Sequence, residues 1–192
     1  MMELIIQNVS DAESPLEYSP WTLISFNSKH ANYDKDFDLK AAGILQKVKV
    51  ETAFWLDYFE HGHSSWSLRG EGMQCRWDTT RCAGIILGDY EELKHRTHEE
   101  REQDARDMMR RYTDWCNGNI YEYAFVAKHV CSQCSHTKLD WNCTDWNGTW
   151  YDTEGMFADI QTEMKREKYE VNKISGGAAW LADHHELEGI KI

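Results

Sequence analysis

Cys82–Leu87, CAGIIL, is an unbroken apolar run that stops at Gly88, and a segment with a single apolar stripe follows it at once. A strand this apolar needs cover on both faces, so it belongs in the middle of a sheet. In the following segment, Asp89–Cys116, helical spacing gathers Ala105, Met108, Met109, Tyr112, Trp115 and Cys116 on one side. Asn117-Gly118 then supplies the left-handed stop expected at a helix C-terminus. The first part of this segment, LKHRTHEEREQD, is polar nearly all round, so that end is expected to project into solvent or to end early.

The elements around this pair follow from the same periodicities. Lys49–Tyr58 alternates, with Val50, Thr52, Phe54, Leu56 and Tyr58 on one face, and Trp55 opposite predicts partial cover on the second face. Leu4–Ile6 and Trp21–Phe26 are expected as strands, and Tyr33–Val48 as a helix carried by Phe37, Ala41, Ile44, Leu45 and Val48. From Glu60 to about Thr80 the chain is expected as loop. Asn119–Ala127 predicts a strand, and Thr153–Lys173 a helix built on Met156, Phe157, Ile160, Met164 and Tyr169. Residues 128–150 are expected as a Cys- and Trp-rich hairpin insertion that turns at Asn147-Gly148, and 175–192 as a peripheral tail that can dock through Trp180 and Leu181. Hairpins mixed with helices in this order predict an α+β fold: one domain over 1–192, its mostly antiparallel sheet covered by two or three helices.

Charge and composition exclude several roles. Against 33 Asp+Glu stand 21 Lys+Arg, a formal charge of -12, which opposes direct approach to nucleic-acid phosphate. Such a surface can instead meet basic surfaces, including the nucleic-acid grooves of other proteins, or serve only solubility. No run of about 20 apolar residues is present, so no membrane span is expected. The start, MMELIIQNVSDAESP, lacks a basic region ahead of a long apolar stretch, which argues against a secretory signal. An intracellular, reducing setting follows, where the six cysteines are thiols or metal ligands.

Two constellations carry chemistry-bearing residues. In HVCSQCSHTKLDWNC, a CxxC at Cys131 and Cys134 stands beside His129, His136 and Cys143. The two-residue gap lets both thiolates face one tetrahedral zinc, with His136 and Cys143 completing a structural site. The ligands are crowded for a zinc finger, so a hairpin whose cysteines pack as small hydrophobes stays open as the other reading. The second constellation lies in Tyr58–Leu87, where His61 and His63 precede Cys75, Trp77 and Asp78. An HxH on extended chain directs both rings to one side, as metal sites require, yet Asp78 serves equally as a hydrogen-bonded structural group. Trp66 and Trp77 are candidate binding residues beside them. The chain has no phosphate-binding glycine loop and no GxSxG elbow, so the case for an enzyme is thin.

Cys75-Arg-Trp-Asp78, then Cys82-Ala-Gly84-Ile-Ile-Leu87, a long charged helix and Gly118-Asn-Ile-Tyr121 resemble a widespread group of small tailed-bacteriophage proteins of unknown function. The likeness spans roughly residues 50–127 and departs at Arg76, where those proteins have proline, and in the segment 128–150. It implies a phage genome and the host cytoplasm, with no reaction attached. The leading expectation is therefore an acidic accessory protein that inhibits or modulates a host protein, such as a defence nuclease, with nucleic-acid mimicry as one route. The alternatives are a small metal- or nucleotide-binding protein, with the nucleotide between exposed tryptophans, and a metal-dependent hydrolase using His61, His63 and Asp78.

Overall fold

The computed structural model describes residues 2–130, 132–134, 137–140, 146–179 and 182. In chain order the first elements are β1 (Met2–Asn8), β2 (Trp21–Ser25), α1 (Ile44–Lys49), β3 (Ala53–Glu60), β4 (Ser64–Leu68) and β5 (Thr79–Gly88). They continue as α2 (Tyr90–Leu93), α3 (His98–Cys116), β6 (Tyr121–Val130), β7 (Thr137–Asp140), β8 (Asn147–Trp150), α4 (Thr153–Glu167) and β9 (Val171–Ser175). The fold is α+β, as expected. Its contacts cluster into two compact units, Glu13–Asn117 and Met1–Ala12 with Gly118–Ile192, each with its own sheet.

In Glu13–Asn117 the sheet is antiparallel, in the order β2-β5-β3-β4. The CAGIIL strand lies inside it, and its two isoleucines divide between the faces. Ile86 joins Trp21, Leu23, Leu56, Tyr58, Trp66 and Leu68 under the α3 residues Ala105, Met108, Met109 and Tyr112. Ile85 joins Ala53 and Ile44 on the other face, with Phe37, Val48 and Trp55 packed around them. The partial cover expected over Trp55 is thus supplied by α1 and the segment before it.

The expected helix over Tyr33–Val48 shrinks to Ile44–Lys49, because aspartates hold the preceding backbone in turns. Asp34 Oδ1 accepts from the Asp36 N–H at 2.9 Å and Asp38 Oδ1 from the Lys40 N–H at 2.8 Å, offering those donors an alternative to a helix. Gly43, at φ +62°, then starts α1 from a left-handed conformation. The expected single helix over Asp89–Cys116 is also divided. Asp89 caps α2, and Thr97 and Glu100 form a reciprocal capping box that restarts the chain as α3 at His98. Gly118, at φ +71°, ends α3 as its sequence predicts.

In the other unit β7-β6-β1-β9 form a mixed sheet in which β1 and β9 are parallel, and β8 also pairs with β6. Leu4, Ile6, Tyr123 and Phe125 pack under Met156, Phe157, Ile160 and Met164 of α4. On the opposite face Glu3 is buried, with Lys128 Nζ at 3.3 Å, Lys173 Nζ at 3.0 Å and the Ser175 hydroxyl donating to it. Burial alone raises the pKa of Glu3, but the hydrogen bonds from Ser175, Lys173 and Lys128 outweigh it and hold the carboxyl below its ordinary value.

Two expectations need correction in this unit. The helix over Thr153–Lys173 ends at Glu167, where Lys168 turns left-handed at φ +56°, and the next residues form β9. Asn147-Gly148 opens strand β8 instead of forming a hairpin turn. Of the expected tail, Ala178 is fully buried and its N–H donates to Ile6 O at 3.1 Å, while Trp180 and Leu181 lie outside the described residues. No helix among the described residues is long and apolar enough to cross a membrane.

Candidate functional site

The stretch between β3 and β5 is organised by a carboxylate just upstream of its histidines. Between the pairs Leu56↔Gly84 and Tyr58↔Thr80 the ladder slips, so Arg81, Cys82 and Ala83 all stand opposite Asp57. This bulge puts Cys82 at φ +49°, a conformation a non-glycine residue adopts only when its surroundings enforce it. Asp57 does the enforcing. Only 2% exposed, its Oδ1 accepts from the Cys82 N–H at 2.9 Å, while Oδ2 accepts from the Gly70 N–H at 2.9 Å and Gln74 Nε2 at 3.2 Å. Burial pushes its pKa up, but those donors and the Arg81 charge outweigh burial and leave it below the usual carboxylate value.

The remainder of the 69–79 loop is tied down one residue at a time. Ser67 Oγ donates to Glu71 O at 3.0 Å, and Arg106 on α3 grips the Glu71 carboxylate with two bonds of 2.8 Å each. That grip lowers the Glu71 pKa. Thr79 Oγ1 donates to Met73 O at 2.7 Å and accepts from the Cys75 N–H at 2.9 Å, and the Glu60 N–H donates to Asp78 O at 3.0 Å. From this fixed loop Met73 and Trp77 project, 61% and 83% exposed, with the Arg76 guanidinium carbon 5.1 Å from the Trp77 ring centre.

Of the sequence candidates the fold brings His61 and Asp78 together, with Cys75 beside them, and separates the others. His61 and His63 flank Gly62, at φ +72°, in the tight turn that joins β3 to β4, a strand lying within the expected loop. His61 Nδ1 lies 3.3 Å from Asp78 Oδ2, and Cys75 Sγ donates to that same oxygen at 3.2 Å. The thiol's partner is therefore a carboxylate and not an imidazole, unlike the arrangement that activates a cysteine nucleophile. His63 packs against Phe59, ring centres 5.5 Å apart. Among the described residues no three His, Cys, Asp or Glu side chains are placed to hold a metal ion. Trp66 is 5% exposed and packs on Tyr58 at 4.8 Å, so it is a core residue and cannot pair with Trp77 as an exposed clamp. Of the expected zinc set, Cys134 is exposed, whereas Cys131, His136 and Cys143 lie outside the described residues. His129 faces Asp140 at 3.2 Å.

A cleft of about 350 Å³ opens in the same unit, lined by Phe26, Asn27, Ser28, His30, Tyr58, Thr80, Cys82 and Ala83. Hydrophobic spacing carries no sign of it, because its walls come from segments far apart in the chain. Of its rings, His30 stands edge-on to Tyr58 at 4.5 Å and to Trp66 at 5.3 Å. Burial lowers the pKa of His30, against a weaker raising influence from Glu60, so the ring is neutral at pH 7. Fold and site together define an α+β protein that displays a pinned aromatic loop and, separately, a small neutral cleft. Comparisons of the chain with protein-family models, with curated proteins and with solved structures found no match.

Proposed function

We propose that the chain acts by binding a protein partner and that Met73, Arg76 and Trp77 form the centre of the contact. The observation that carries this reading is a large exposed tryptophan on a loop that is already rigid. Tryptophan and arginine dominate interface energetics, and methionine is enriched at interfaces. A pinned loop also has little conformational freedom left to lose on association. The thiol–carboxylate pairing of Cys75 and Asp78 favours binding over nucleophilic chemistry at the same loop.

The resemblance of residues 50–127 to tailed-phage proteins makes the partner a protein of the infected bacterium, inhibited or modulated in the host cytoplasm. A defence component such as a nuclease is the class we favour. Direct mimicry of nucleic acid is the weaker version, because carboxylates along and beside α3 are neutralised by cations. Asp104 meets Arg96 at 2.6 Å, Asp107 meets Arg110 at 3.5 Å, and Glu71 and Glu102 share Arg106. A mimic needs a bare, regularly spaced row of charge.

The test is capture from host lysate with the wild-type chain and with Trp77→Ala, followed by direct binding and activity measurements on whatever is captured. We expect one host protein to be captured by wild type, altered in activity by it, and lost with Trp77→Ala. Equal capture by both chains would overturn the assignment of the loop.

A further inference from the structure

We propose that the cleft between residues 26–30 and 80–83 binds an uncharged nucleobase, free or as its nucleoside. Its volume of about 350 Å³ lies at the small end of ligand sites, where one or two fused rings with a sugar fit and larger cofactors do not. The walls suit a flat ring. Tyr58 and His30, edge-on at 4.5 Å, give the lining its aromatic side, and Phe26 borders it with its ring 6.2 Å from Trp55. Beside them Ser28 and Thr80 bring two hydroxyls, groups that both donate and accept, and Asn27 an amide whose oxygen and nitrogen each have a partner in the fold. A planar ligand with donors and acceptors on its edge matches that lining, and a plain hydrocarbon ring does not.

The absence of charge in the lining narrows the class. No Lys, Arg, Asp or Glu is among the eight residues, and His30 is held neutral. Its Nδ1 lies 2.7 Å from Ser25 Oγ. The Asn27 amide oxygen is taken by the Lys29 N–H at 3.0 Å, which turns the amide nitrogen toward His30 Nε2 at 3.4 Å. No lining residue is a cation that would pair with a phosphate, so a nucleotide is expected to gain nothing over its nucleoside.

The cleft is also built before any ligand arrives. The Phe26 N–H donates to Ala83 O at 2.9 Å, the Ser25 N–H to Asn32 O at 2.9 Å, and the His30 N–H to Asn27 O at 3.0 Å. On the facing side Asp57 locks the left-handed Cys82 backbone. Strain maintained at a cleft wall is a common companion of a binding site.

The experiment is calorimetric titration of the whole chain with adenosine, guanosine, cytidine and uridine, and with their 5′-monophosphates. Two variants at exposed positions accompany it, Phe26→Ala and Thr80→Trp, and each is checked for an unchanged thermal melt. We expect at least one nucleoside to bind with a Kd below about 1 mM. Phe26→Ala should weaken it about tenfold or more, the loss typical of one base–aromatic stack. Thr80→Trp should abolish binding by filling the cleft, and the monophosphate should bind no tighter than the nucleoside. The proposal is overturned if no nucleoside binds at about 10 mM, if binding survives Thr80→Trp, or if the monophosphate gains about tenfold or more. Neither variant alters Met73, Arg76 or Trp77, so this result and the partner-binding result are read independently.

Discussion

Replacing Asp57 should unfasten the loop that carries Trp77 and lower the stability of the whole 13–117 unit. The carboxylate accepts from two backbone N–H groups at 2.9 Å each and from the Gln74 side chain at 3.2 Å, with 2% of the residue exposed. Hydrogen bonds to a charged group contribute about 1.5–3 kcal/mol each, and the longer, part-buried Gln74 bond less. Asp57→Ala should therefore cost about 4 kcal/mol, which for a chain of this size is a fall in Tm of roughly 8–16 °C. Asp57→Asn keeps the shape but not the chemistry. One side of the amide can still accept, and the other presents an NH2 to a backbone N–H, so we expect about half the loss. The pH dependence has a definite sign. The folded pKa of Asp57 lies below its unfolded value, so its stabilisation is complete above that unfolded value, about 3.9, and disappears as pH falls through the folded one. Wild type should lose stability in that acid window, and Asp57→Asn should lose less. Thermal and urea unfolding followed by circular dichroism measure the cost, and hydrogen exchange at the Gly70 and Cys82 amides locates it. A fall in Tm below about 2 °C, or unchanged protection at both amides, would refute the role given to this carboxylate.

The two tryptophans of the 58–87 stretch make a matched pair of tests. Trp66→Ala removes a buried ring and should cost about 3–5 kcal/mol in urea unfolding, whereas Trp77→Ala, at an 83% exposed position, should stay within about 0.5 kcal/mol. Thr97→Ala removes the capping side chain of α3 and should cost about 1 kcal/mol, read by the same unfolding curves. Gly176 stands at φ +101°, where an added Cβ would lie 2.2 Å from Ile6 O, so Gly176→Ala should cost more than about 2 kcal/mol and loosen the β1–β9 pairing seen by hydrogen exchange. A loss under about 1 kcal/mol there would mean that the turn after β9 yields easily.

Periodicity located the parts of the fold that are periodic. The split of Ile85 and Ile86 between two cores, and the stripe from Ala105 to Tyr112, follow from repeats of 2 and 3.6 residues and were legible. What misled was competition at the backbone. Phe37, Ala41 and Ile44 keep helical spacing, but Asp34 and Asp38 take the N–H groups a helix would use, and side-chain acceptors of this kind leave no mark on hydrophobic spacing. The capping box at Thr97 and Glu100 did stand in the sequence as T-x-x-E and could have placed the start of α3. The cleft could not have been found that way, since its walls come from residues 26–30 and 80–83, which only the β2–β5 ladder brings together.

The same distinction explains why the chemically dense stretch is not where its density suggests. Most of its polar groups are consumed in holding the loop: Glu71 by Arg106, Thr79 by Met73 and Cys75, and Asp78 by His61 and Cys75. A side chain fully engaged in local structure has little capacity left to bind or react. What the loop leaves over is Met73, Arg76 and Trp77, which hold nothing up and face outward. Loops that expose residues unnecessary to their own folding are the usual carriers of function. It is therefore the two least structural side chains of the stretch, Met73 and Trp77, with the arginine stacked between them in sequence, that the partner-binding reading rests on. If substituting them left every measurable property of the protein unchanged, the stretch would be architecture throughout, and the cleft beside Cys82 would be the one remaining candidate in this unit.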